Sequence, residues 1–86
     1  MQVIHKFPVK IAREQSIELP AFSKILSVQL QNGSPCIWVF VDYTYRKIDK
    51  KILCIGTGHE FVQEIVMEFI GTIQLQDGTV WHFFYI

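Results

Sequence analysis

The sequence predicts a mainly β chain: a small antiparallel β-sandwich or partly open barrel of about seven short strands, with at most one short helix. Residue type carries that reading. Val and Ile together number 20, Thr adds 4, and there are 12 aromatics, while Ala and Leu together number only 7. β-Branched and aromatic side chains suit a pleated surface and lose rotamer freedom in a helix. The second observation is punctuation: short apolar runs are cut by "NGSP", "GTG" and "QDG", which are turn signals.

The elements follow in order. "QVIHKFPV" alternates, with Val3, His5 and Phe7 on one face, and Pro8 ends it or places it at an edge. "QSIELP" is a second strand closed by a proline. "KILSVQLQNGSPCIWVFVDY" reads as a hairpin. In its first arm Leu26, Val28 and Leu30 are expected to face the core, with Ser27, Gln29 and Gln31 facing away. Its second arm, Cys36 to Tyr43, is apolar on both faces until Asp42, as a covered central strand would be. "YRKIDKKILCI" starts charged and runs into the core. "HEFVQEIVMEF" has only a marginal helical pattern, so it reads as an irregular connection with at most one or two helical turns. "EFIGTIQL" and "TVWHFFYI" form a hairpin about "QDG". The final strand is apolar on both faces, which requires a mid-sheet position or a second subunit against it; we expect a homo-oligomer.

The bulk numbers exclude several classes. Eighty-six residues suit one domain, 1–86, with a thin stability margin. Net charge is zero, against general nucleic-acid binding. Lys6 and Lys10 interrupt the first apolar run, so it does not read as a signal peptide. The longest uncharged stretch, Ile25 to Val41, contains "QNGSP" and does not read as a membrane span. A cytoplasmic protein is expected, with Cys36 and Cys54 reduced and buried.

The chemistry concentrates at "RKIDKKILCIGTGH". Glycines on either side of Thr57 allow a sharp turn whose N–H groups could face an anion, with Thr57 and His59 as further donors. Arg46, Lys47, Lys50 and Lys51 lie upstream. Against this, no nucleotide-binding fingerprint is present, and a plain turn after a solvated charged edge has the same composition. Trp38 and Trp81 could stack on a base, but a Trp in an alternating strand is more often a core residue. Gln29 and Gln31 form an amide face that an ordinary solvated strand also has. His5, His59 and His82 lie on separate segments without metal-ligand spacing, and no paired carboxylates suggest catalysis. Cys54 next to His59 in sequence hints at a dyad, but its apolar run would raise the thiol pKa. A non-catalytic protein without a cofactor or metal is expected.

"KFPV", "KILSVQLQNGSPCIWVFVD", "GTGHEF" and "EFIGTIQLQDGTVWHFF", in this order, resemble a family of short proteins of unknown function encoded largely by bacteriophages and prophages. The resemblance covers most of the chain and departs from the family at "FVQEIVM". It brings no assigned activity and no site residues. It implies a small phage protein acting in the cytoplasm of an infected host cell, where such proteins often block a defence. Joined to the residues, it suggests a homo-oligomeric anti-defence sponge for a nucleotide second messenger such as a cyclic nucleotide. Gly56, Thr57, Gly58 and His59 would meet phosphate, Arg46 and Lys47 would supply cations, and Trp81, Gln29 and Gln31 would line the site. The alternative is a protein-binding inhibitor or adaptor docking through Phe61, Val62, Ile65, Val66 and Met67, or an accessory structural protein.

Overall fold

A computed structural model describes residues 1–62 and 66–86. Among these there are seven strands in two antiparallel sheets, with no helix and no closed barrel. The strands are β1 (Gln2–Pro8), β2 (Glu14–Pro20), β3 (Lys24–Gln31), β4 (Ser34–Asp42), β5 (Lys47–Gly56), β6 (Glu68–Gln74) and β7 (Val80–Tyr85). One sheet has the order β1-β4-β3 and the other β2-β5-β7-β6. The irregular connection expected after His59 is irregular at residues 59–62 and 66–67; its centre lies outside the described residues.

The β3–β4 hairpin is tighter than the "NGSP" reading implied. Gln31 pairs with Ser34, leaving a two-residue loop with Asn32 at φ 53° and Gly33 at φ 81°. Positive φ at both central residues is the signature of a type I′ turn, whose twist matches that of the strands. Ser34 and Pro35 therefore belong to β4. As expected, β4 is a central strand: Ile37, Val39 and Val41 are buried between the sheets, and Trp38 and Phe40 are half-buried on the outer face.

The face assignment of β3 needs correction. A bulge between Ile25 and Ser27 shifts the pairing with β4. Ile25 enters the core at 9% exposure, while Leu26 points outward at 41%. One inserted residue reverses the alternation upstream of it, so Val28 keeps its expected place and Leu26 does not.

The final strand lies mid-sheet, between β5 and β6. Those neighbours pair both of its edges; one face meets the core, and Val80, His82, Phe84 and Ile86 on the other are half-buried. Phe83 is fully buried and, with Trp81 and Tyr85, faces the core, which also holds Leu19, Ile52, Cys54 and Ile73. The two sheets meet closely where β6 crosses β3. A Cβ on Gly71 would lie 3.0 Å from Val28 Cγ1 and 3.7 Å from its backbone nitrogen, so a side chain here would press on Val28.

The basic run on β5 is absorbed by its neighbours. Lys51 Nζ lies 2.9 Å from Glu14 and Lys47 Nζ 3.7 Å from Glu18, both across to β2, and Lys50 sits 5.0 Å over the Tyr85 ring. No helix among the described residues is long and apolar enough to cross a membrane.

Candidate functional site

β5 ends in a turn. His59 N–H donates to Gly56 C=O at 3.0 Å, and Gly58 has φ 84°. A positive φ at the third of four residues marks a type II turn and explains the glycine there. Thr57 N–H donates to Val80 C=O at 3.0 Å. The Thr57 and His59 N–H groups are thus committed within the protein.

The His59 ring folds back over the turn and meets the Trp81 ring edge-on, with centroids 5.4 Å apart and planes at 84°. Gly56 permits this. An added Cβ would lie 2.8 Å from His59 Cε1 and Nδ1 and 3.1 Å from Trp81 Cζ3. Trp81 is fixed from the other side: its Nε1–H donates to Thr79 Oγ1 at 2.9 Å. The Thr79 hydroxyl in turn donates to Asp77 Oδ1 at 2.6 Å, and the Thr79 N–H reaches the same oxygen at 2.9 Å. Those bonds, the hydroxyl's first, hold the Asp77 carboxyl below its ordinary pKa. Between the turn and residues 78–81 lies a pocket of about 300 Å³ that His59, Thr57, Thr79 and Trp81 help to line.

On the outer face of the same sheet His82 is held by two hydroxyls. Its Nε2 lies 2.7 Å from Thr57 Oγ1 and its Nδ1 2.9 Å from Thr72 Oγ1. Thr57 therefore locks the turn to β7 and, through His82, to β6. Cys54 has no part in this arrangement. It is buried in the core, where loss of solvation pushes its thiol pKa up to about 11.

Of the nine residues singled out from sequence, Gly56, Thr57, Gly58, His59 and Trp81 come together here. The other four do not. Lys47 sits at the opposite end of β5, paired with Pro20, nine residues or about 30 Å from Gly56. Arg46 lies beside it, its carbonyl accepting from Ala21 N–H at 2.7 Å. Gln29 and Gln31 are on the other sheet, and Gln31 Oε1 accepts from Lys6 Nζ. The cation near the turn is Arg13, whose Nη2 donates to Glu60 C=O at 3.0 Å. Sequence reading passed over Arg13, Asp77 and Thr79. Asp-x-Thr at 77–79 was a usable signal, since the same spacing at Asp42 and Thr44 makes the same bonds.

The family described as Domain of unknown function (DUF7352) matches residues 1–86. The chain belongs to that family. No curated protein and no solved structure matches it. The match spans all seven strands, so the pocket is built entirely from residues within the family domain.

Proposed function

We propose that the protein is a non-catalytic binder of a nucleotide-class small molecule, held at the pocket between the GTGH turn and the β6–β7 hairpin. The observation that carries this reading is the convergence of the His59 and Trp81 rings on one recess that Thr57 and Thr79 also line. A flat indole and an imidazole suit a ring, and the imidazole can also meet its polar edge or a phosphate. About 300 Å³ is at the small end of ligand pockets, so it takes one base or one ribose phosphate rather than a whole dinucleotide. His59 also borders a shallower hollow with Glu60, Phe61 and Val62, where the rest of a larger ligand would lie. Arg13, whose Nη2 donates to the Glu60 carbonyl at the rim of that hollow, would supply a cation toward its phosphate. In the setting implied by the phage-protein resemblance, holding such a ligand without turning it over would silence a defence that signals with nucleotides.

Thermal shift and calorimetry against a panel of mononucleotides and cyclic nucleotides test the proposal. A ligand that raises Tm with the native chain, and not with His59→Ala or Gly56→Ala, supports it. In the second variant the new methyl pushes the imidazole off Trp81, a movement a side chain can make without disturbing the sheet. Uniform silence across the panel, with all three chains folded, overturns it.

One observation favours the protein-docking alternative. Phe61, Val62 and Val66 are 48%, 83% and 78% exposed beside the pocket. Ile65, also expected in that patch, lies outside the described residues. This reading predicts a stable protein complex that Val62→Glu disrupts and nucleotides do not affect.

A further inference from the structure

Among the described residues, β1 and β3 border one sheet and β2 and β6 the other. Three of these edges are managed. β3 and β6 lie against each other at the Val28–Gly71 approach. β2 carries two carboxylates, Glu14 and Glu18, and no cation, so a second copy beside it would set like charges together. β1, which like β2 ends in a proline, differs: Gln2 to Lys6 are exposed on both faces, with Ile4 at 54%. Its one charged side chain, Lys6, reaches back across the sheet to Gln31 Oε1.

The direction of the free backbone groups follows from one hydrogen bond. Val9 N–H donates to Pro35 C=O at 3.1 Å, and the unbroken β1–β4 register continues this pairing. Stepping back two residues at a time, Phe7, His5 and Val3 also turn their N–H and C=O toward β4. Gln2, Ile4 and Lys6 therefore turn theirs outward, to no strand among the described residues.

We propose that this edge pairs with a second copy of itself, β1 against the partner's β1, antiparallel about a two-fold axis through Ile4. In that register Gln2, Ile4 and Lys6 meet the partner's Lys6, Ile4 and Gln2, and every outward donor finds an outward acceptor. Ile4 sits beside Phe40 on the outer face, so the pairing joins two exposed apolar rows into one. The neighbouring register, centred on His5, sets imidazole against imidazole and Ile4 against the partner's Lys6. Zero net charge leaves little long-range repulsion to keep two copies apart. The product is a continuous six-stranded sheet. A single strand edge buries less than a standard interface, so the dimer is weak and concentration-dependent.

Sedimentation from about 1 μM to about 1 mM reads it directly. The native chain is expected to pass from monomer to dimer. Ile4→Pro removes an outward N–H only, so it stays folded by circular dichroism and monomeric throughout. Ile4→Lys, which keeps the N–H and sets charge against charge, does the same. Register is read by disulfide capture, since directly opposed residues lie about 5.5 Å apart at Cα and Cys36 and Cys54 are buried. Ile4→Cys cross-links to itself, and Lys6→Cys cross-links to Gln2→Cys. A native chain that is monomeric at every concentration overturns the proposal. So does a dimer that survives both Ile4 substitutions, or capture of Lys6→Cys by Ile4→Cys instead.

Discussion

Thr79 shows how one short side chain can set the wall of a pocket. Its hydroxyl donates to Asp77 and accepts from the Trp81 indole, so the turn geometry of the hairpin is transmitted to the pocket wall. Thr79→Val keeps the shape and removes both bonds. We expect a lower Tm by a few degrees and a shift in Trp fluorescence as the Trp81 indole loses its acceptor. The effect carries a pH signature. Because the native Asp77 carboxyl is held below its ordinary 3.8, its contribution is present above that value and is lost as pH falls through the native pKa. The Tm gap between native chain and Thr79→Val should therefore narrow well below pH 3.8. A gap that is constant from neutral to acid pH would mean the hydroxyl does not act through Asp77. Phe22 is the opposite case: a bulky residue at φ 65°, 81% exposed, edge-on to Tyr45 at 5.0 Å. Nothing in its sequence neighbourhood, "PAFSK", signals a left-handed residue, a conformation usually left to glycine.

At the scale of elements, the β3 bulge decides which of two adjacent aliphatics supports the fold. Ile25→Ala should cost about 2–4 kcal/mol by emptying core space. Leu26→Ala should cost less than about 1 kcal/mol, because the side chain faces solvent. Denaturant melts of the two variants check this, and equal costs would remove the bulge from the account. The alternation of "KILSVQLQ" favours the other assignment because period-2 reasoning assumes an unbroken ladder, and no residue in the run marks where it breaks. Turns were far more legible. "NG" names its own backbone geometry and "DG" marks a turn, although only Gly78 of that pair takes a positive φ, so both hairpins could be placed before any contact was known. The position of β7 was only half legible: its apolar faces speak against an exposed edge, but that β5 and β6 are its neighbours is read only from the topology.

At the scale of the molecule, the fold is a thin slab, with Cα extents of 40 × 33 × 15 Å, and its two candidate surfaces lie on different sheets. The pocket belongs to the sheet of β5 and β7, the open edge to that of β1. The proposed ligand binding and the proposed self-pairing are thus separable, and Ile4→Pro should leave nucleotide binding intact. The same geometry explains why only part of the site was readable. Gly56 to His59 are contiguous, and Trp81 stands on an alternating strand; both belong to the sequence. The distance from Lys47 to Gly56 belongs to the run of β5, which carries the basic cluster away from the turn it precedes. Arg13 reaches the turn from a loop 47 residues distant, a contact no local pattern encodes.

The central claim is that the pocket under His59 holds a nucleotide without consuming it. The most direct test is mass spectrometry of small molecules released by heating protein purified from bacteria with an active nucleotide-signalling defence. The account predicts an intact nucleotide in near-equal amount to the native chain and none from Gly56→Ala. A blank from the folded native chain, or equal release from both, would contradict it.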